Sequence, residues 1–166
     1  MALTGLLHIG CLALLAALLI GAGAQDLRTM HIANGFSLAI AGLFVVWAGV
    51  ELSAGRMAPA TLAMAIGCAV VVFAVGAAAF AVGALGGGDV KLLAAVTLFA
   101  GPAGVVDFLA ITAIAGGLLG LAMLAGAPLG QPALAGPLRA RLRRGLPYGP
   151  AIAAGGLWVA ASQALS

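Results

Sequence analysis

Among 166 residues only four carry a carboxylate, and two of them, Asp26 and Asp89, stand where long apolar runs end or begin. Asp89 follows three glycines in Leu85-Gly86-Gly87-Gly88-Asp89-Val90-Lys91, and with Lys91 it supplies the only charges between Arg56 and Asp107. A carboxylate kept between apolar stretches is costly, which marks it as a candidate for function. The glycine run lets backbone approach closely and adopt positive φ, so a helix can begin there with its first amides open and another group pressed against it. The plainer reading is a Gly-rich turn whose Asp caps the next helix. Asp26 closes the first apolar run, and two full crossings separate it from Asp89, which puts both carboxylates at the same edge of a membrane. Two carboxylates at one depth can share a proton under like-charge repulsion and partial desolvation, leaving one acid and one base. Such a pair can activate water against a peptide carbonyl, and it titrates as a unit. The competing reading makes each aspartate a solvated cap, neutralised by Arg28 or Lys91 two residues away.

The elements that must position these residues follow from composition. With 64% hydrophobic residues, 26 glycines and 7% charged side chains, the chain is too apolar for a soluble domain with one core and a polar skin. It is predicted to be an all-α membrane protein, one domain over residues 1–166 with six transmembrane helices and no soluble domain. The first span covers Leu6 to Ala24, and because no Lys or Arg precedes it and more spans follow, it is read as a retained helix rather than a cleaved signal. A polar segment from Gln25 to Gly35 holds Asp26, Arg28, His31 and Asn34, with Asn34-Gly35 as a helix start. The second span runs from Phe36 to Val50 and carries Trp47 as an interfacial aromatic. The third covers Thr61 to Leu85. The fourth, Val90 to Ala100, is short or interrupted because Gly101-Pro102 breaks it. The fifth, Phe108 to Leu124, contains Gly116-Gly117 and Gly120, small residues that allow close helix packing. The last runs from Tyr148 to Leu165.

The net charge of +3 rests on Arg139, Arg141, Arg143 and Arg144, all within the loop from Ala125 to Pro147. Almost no aromatics are interleaved with them, so the cluster reads as a surface for anionic lipids rather than for nucleic acid. Cys11 and Cys68 lie inside apolar runs and read as small packing residues, with neither a metal site nor a disulfide implied. Loops one, three and five hold Arg28, Lys91 and the four arginines, against Arg56 alone in loops two and four. The odd loops are therefore expected to be cytoplasmic and both termini outside. A transporter or channel that relays protons or cations through its carboxylates is the alternative, as is a scaffold subunit that needs neither aspartate. Against transport, the acids cluster at helix ends, and no inverted repeat or pair of broken helices is apparent.

The run Gly86-Gly87-Gly88-Asp89-Val90-Lys91-Leu92-Leu93, together with Asp26, Arg28 and then Ile32-Ala33-Asn34, resembles the type IV prepilin peptidases, membrane aspartyl proteases of the GxGD kind. The last span, entered through Leu146-Pro147-Tyr148-Gly149-Pro150-Ala151-Ile152-Ala153, is similar to theirs, so the resemblance covers nearly the whole chain. It implies that Asp26 and Asp89 are the catalytic pair, supported by Gly86, Gly87, Gly88, Lys91, Arg28, Asn34, Pro147, Tyr148 and Gly149, with no metal or organic cofactor. The implied partner is the membrane helix of a prepilin or pseudopilin. Cleavage is expected at the cytoplasmic face of the bacterial inner membrane, between a short basic leader and the apolar helix that follows. Larger members carry a cytoplasmic insertion with paired cysteines and methylate the new N-terminus. Nothing in this chain would house that activity, and it resembles instead the short branch associated with Flp (tight-adherence) pili, expected to be peptidase only. Ala33 stands where the family often has Pro, but Asn34-Gly35 still breaks and restarts the helix. The presenilin group of GxGD proteases is a poorer match: Asp26 follows Gln25 rather than Tyr, and Pro132-Ala133-Leu134-Ala135 lies in a polar loop.

Overall fold

With few side chains able to compete for backbone groups, such apolar segments satisfy their amides internally, as helix. The computed structural model describes residues 2–125 and 147–165, and these form five helices: α1 (Ala2–Thr29), α2 (Asn34–Ser53), α3 (Pro59–Ala81), α4 (Gly87–Leu124) and α5 (Gly149–Leu165). The first four are each long and apolar enough to cross a membrane. The arginines at 139, 141, 143 and 144, expected to meet lipid, lie outside the described residues.

The interruption expected at Gly101-Pro102 is present inside α4, where Gly101 adopts φ 60° and ψ −172°. It divides α4 into a first arm, residues 87–100, and a second arm, residues 102–124. Their directions follow from what they touch on α5. In the first arm, Val96 lies against Gly156, and the carbonyl of Phe99 accepts from Gln163 Nε2 at 3.0 Å. In the second arm, Phe108 and Thr112 lie against Gly155, while Gly116 meets Tyr148 and Ala151. The first arm thus runs with α5 and the second against it, so the chain doubles back at Gly101. No loop intervenes, and Asp107 sits within the second arm.

The ends of α1 and α3 also differ from the sequence expectation, and the start of α2 is capped differently. α1 continues through Thr29 rather than stopping at Ala24, and it ends because Met30 takes a left-handed φ of 53°. Asp26 is therefore in the last helical turn, not in a polar loop. α3 stops at Ala81, four residues early. Gly83, at φ 76°, lets its own N–H bond Phe80 O and the N–H of Ala84 bond Ala79 O, both at 2.9 Å, the paired closure of a Schellman end. α2 begins at Asn34 as expected, yet Ala33 is the N-cap and no side chain caps it. Gln25 Oε1 holds the Ala33 N–H instead, at 3.2 Å.

α5 is the axis of the bundle, with α1 and both arms of α4 packed around it. Its glycines make that possible: a Cβ on Gly156 would lie 2.7 Å from Leu19, and one on Gly155 would lie 2.9 Å from the carbonyl of Phe108. Lipid tails are as apolar as this interior, so close packing rather than burial from water holds such helices together. Large apolar side chains such as Leu6, Val45, Val70, Val75, Val106 and Ile114 face outward from different helices, the surface that a bilayer covers.

Opposite the glycine run, buried Glu51 accepts from Arg56 Nε at 2.8 Å and Nη2 at 2.7 Å, and lies 2.8 Å from His8 Nδ1. His8 Nε2 also contacts Gln163 O at 3.1 Å, which ties α1, α2 and α5 together at this end. Trp47, expected at the interface, is buried beside this cluster with its ring centroid 5.3 Å from that of Phe99 and 5.9 Å from that of Phe44. Aromatic contact within the bundle outweighs an interfacial position here.

Candidate active site

α4 starts from Gly86, an N-cap in extended backbone at φ −77° and ψ 145°. Asp89 is the third helical residue, and its Oδ2 reaches back to accept the Gly86 N–H at 3.2 Å, as the acidic member of a capping box does. The aspartate does cap its helix, but it is also buried, at 9% exposure. The three glycines do not supply the positive φ expected of them; among the described glycines that conformation occurs at Gly55, Gly83 and Gly101. They supply room. A Cβ on Gly86 would stand 2.6 Å from Asp89 Oδ2, and one on Gly88 would stand 3.0 Å from the carbonyl oxygen of Ile32. Gly87 has only the Phe80 ring nearby, at 3.5 Å, an ordinary contact.

Asp26 is brought in from the other side by α1 and is 5% exposed. Its Oδ2 accepts the N–H of Gly149 at 2.7 Å, a donor 123 residues away at the first turn of α5. A Cβ on Gly149 would come within 2.6 Å of Asp26 Cβ, so only glycine lets the start of α5 lie this close to α1. One turn back on α1, Gly23 packs on Pro150 and Ala153 of α5. Pro147 is fully buried, and the Tyr148 ring fills the notch left by Gly116, where a Cβ would be 3.0 Å from Cε1. Together these fix where α5 begins and hence where the Gly149 N–H points.

The two carboxylates are close enough for the charge of Asp26 to act on Asp89, and His31 is within electrostatic reach of Asp26. Among the described residues neither aspartate forms an ion pair; the two pairs found there both belong to Glu51. This corrects the reading in which Arg28 and Lys91 neutralise them. Arg28 is exposed on the last turn of α1. Lys91, also exposed, donates from Nζ to Asn34 Oδ1 at 2.9 Å and so fastens α4 to α2 rather than reaching the carboxylates.

The arrangement therefore holds two buried acids, each with one backbone N–H on Oδ2, at the end of the bundle where α1 finishes and α4 and α5 begin. Of the residues predicted for the site, Asp26, Asp89, Gly86, Gly88 and Gly149 touch one another or their immediate frame. Gly87, Lys91, Asn34, Pro147 and Tyr148 lie around it, and Arg28 lies outside. Gln25 completes the frame without a signal in its own spacing, together with Ile32 and Gly116, which the sequence marked only as part of the family-like run and as a small packing residue. No three His, Cys, Asp or Glu side chains gather as a metal cage would require among the described residues.

No curated protein and no solved structure matches the chain. A family model does match: that of the type IV leader peptidase family, over residues 13–121. The match takes in Asp26, the glycine run with Asp89, and the break at Gly101, and it extends over more than half of the 166 residues. With the geometry of the two carboxylates, it assigns the chain as a multi-pass membrane peptidase that belongs to the type IV leader peptidase family.

Proposed function

We propose that this peptidase is an aspartic endopeptidase that removes the short basic leader from Flp-type prepilins and pseudopilins, with Asp26 and Asp89 as its catalytic pair. The observation that carries the reading is that two buried carboxylates, each held by one backbone N–H and, among the described residues, paired with no cation, lie within electrostatic reach of each other at one end of the bundle. Two acids so placed are suited to carry one proton between them. The ionised member takes a proton from a water molecule, whose oxygen attacks the scissile carbonyl carbon while the protonated member gives its proton to the carbonyl oxygen. When the tetrahedral intermediate collapses, the departing amine takes up the proton that the base had collected, the C–N bond breaks, and the hydroxyl that becomes the carbonyl of the new carboxyl group returns its proton to the other aspartate, which restores the pair. Gly86, Gly88 and Gly149 set the positions of the carboxylates, Lys91 and Asn34 lock α4 to α2, and Pro147 and Tyr148 place the start of α5.

In the membrane the two arms of α4 count as separate crossings, which makes six with α5, and both termini lie outside. The end that holds the aspartates faces the cytoplasm of a bacterial inner membrane, since Arg28 and Lys91 flank it while Arg56 is the basic residue described at the opposite end. The loop with Arg139, Arg141, Arg143 and Arg144 rests on anionic lipid, and N-methyltransferase activity is not part of the proposal. Membership of a peptidase family and the position of the acids at helix ends both favour this reading over transport or a silent scaffold.

The test is cleavage of a Flp-type prepilin by purified protein. Wild type releases the leader, and Asp26→Asn and Asp89→Asn each lower kcat/KM by at least about a hundredfold, because members of one catalytic unit cannot substitute for each other. Both variants should accumulate in the membrane and melt like wild type. Near-wild-type cleavage by either one would remove it from the catalytic pair.

A further inference from the structure

Met30 turns the chain back at the end of α1, and residues 31–33 return beside its last turn to the N-cap of α2. On the way, buried Ile32 bears on the first turn of α4. A Cβ on Gly88, the residue before Asp89, would stand 3.0 Å from Ile32 O, 3.1 Å from its Cβ and 3.6 Å from its Cα. The segment is thus a spacer between the helix that carries Asp26 and the helix turn that carries Asp89.

Ile32 O and the Ala33 N–H belong to one peptide unit. That unit is planar and trans, with its carbonyl and N–H pointing in opposite directions, so whatever holds one end aims the other. The N–H end is held by Gln25 of α1, whose Oε1 accepts it at 3.2 Å. The other end is the oxygen that meets Gly88. An N-cap N–H is one of the amides that a helix cannot bond for itself, and in α4 the corresponding one, on Gly86, is taken by Asp89 at the third helical position. In α2 the third position is Phe36, whose side chain has no acceptor. Gln25 supplies one from outside. The Phe36 ring packs instead on Gly21, where a Cβ would lie 3.0 Å from Cε1, so α2 stays joined to α1 by a contact that does not involve Gln25. Thr29 Oγ1 lies 2.9 Å from Gln25 O and 3.0 Å from His31 O, both acceptors, which leaves Gln25 as the one side chain, among the described residues, that holds an N–H of the segment.

Resting on the function proposed above, we propose that Gln25 is a positioning residue for the carboxylate pair: by holding the 32–33 peptide plane it sets how the first turn of α4, and with it Asp89, stands toward Asp26. Its amide oxygen is spent on backbone, so it acts through Ile32 and Gly88 and not on the substrate.

The experiment uses the full-length protein in detergent with a Flp-type prepilin as substrate. Gln25→Met keeps the length of the side chain and removes the acceptor. Its kcat should fall at least about tenfold with KM within about twofold of wild type, since a displaced reacting group slows the chemical step and leaves binding in place. Ala33 already holds φ −65°, the value that a proline ring imposes, so Ala33→Pro fixes the same peptide plane covalently and leaves no N–H to hold. The Gln25 amide, at the end of a flexible side chain, swings aside for the ring. In an Ala33→Pro background, Gln25→Met should therefore change kcat by less than about twofold, the non-additivity of two devices that do one job. A general loss of packing would not be cured in this way. A tenfold loss that persists in the Ala33→Pro background would overturn the proposal, as would a Gln25→Met kcat equal to that of wild type. If Ala33→Pro fails to accumulate or to cut, Gln25→Glu makes the test, because it keeps an acceptor oxygen at the same reach. Its kcat should stay within about threefold of wild type, and a loss as large as that of Gln25→Met overturns the proposal. Wild type that cuts no prepilin would remove the peptidase reading and this role together, whereas equal cleavage by wild type and Gln25→Met removes the role alone.

Discussion

A glycine can be required for the conformation it adopts or for the space it leaves, and Gly86, Gly87 and Gly88 fall clearly on the second side. Gly86 and Gly88 have neighbours within 3.0 Å of a would-be Cβ, while Gly87 does not. Gly87→Ala is accordingly expected to process prepilin within about twofold of wild type, whereas Gly86→Ala and Gly88→Ala each displace Asp89 or Ile32. A displacement of about 1 Å at a reacting group costs on the order of a hundredfold, and that is the loss in kcat/KM expected for these two. Equal effects at all three positions would show that the run acts through flexibility instead. Gly149→Ala belongs with the severe pair, because the atom it would strike is Asp26 Cβ, which cannot rotate away. The aspartates themselves were readable in the sequence, since a charge amid apolar residues is conspicuous whatever the fold. The donor to Asp26 was not. Twenty-six glycines are present, and nothing in their spacing says that Gly149, 123 residues downstream, offers its N–H.

Helix ends decide whether the carboxylates face each other, and the chain uses a different device at each one. Gly101 holds φ 60° with ψ −172°, a region that essentially only glycine occupies, and the reversal between the arms of α4 depends on it. Space is not the constraint, since the nearest atom to a Cβ there is Ala65 Cβ at 4.0 Å. Gly101→Ala should therefore destabilise the protein by backbone strain alone, by roughly 1–3 kcal/mol. Pro102→Ala, at an exposed position, should cost less. Thermal melting in detergent checks both, and a Gly101→Ala Tm equal to that of wild type would mean that the turn tolerates another conformation. This break was visible beforehand, because Gly-Pro is among the strongest stop signals a sequence carries. The ends of α1 and α3 were not. Met30 terminates α1 in a left-handed conformation that a Met rarely adopts, and Gly83, the residue that closes α3, was overshadowed by the three glycines just after it.

The bundle has two chemically different ends joined by an apolar middle. One holds the carboxylates of Asp26 and Asp89, which form no ion pair among the described residues; the other holds Glu51, engaged by Arg56 and His8. Glu51→Gln should lower the Tm, since it weakens the contacts that tie α1 to α2, while kcat/KM for prepilin stays within about twofold, because Glu51 sits at the opposite end of the bundle and contacts neither aspartate nor the backbone donors that hold them. A matching loss of activity would couple the two ends. The apolar middle was plain from composition, but the inward turn of Trp47 was not, since hydropathy does not say which face of an apolar helix meets protein and which meets lipid. The proposed orientation of the bundle rests on charge: Arg28 and Lys91 flank the end with the aspartates, and Arg56 flanks the other. In a background with Cys11→Ala and Cys68→Ala, Ser53→Cys places a thiol at the Glu51 end and Ala84→Cys places one at the aspartate end, both at exposed positions. A membrane-impermeant maleimide added to cells stripped of their outer membrane should label the protein carrying Ser53→Cys, and should label the one carrying Ala84→Cys only after permeabilisation. The reverse pattern would put the carboxylates outside, where a leader still on the cytoplasmic side could not reach them, and the proposed cleavage at that face would be ruled out.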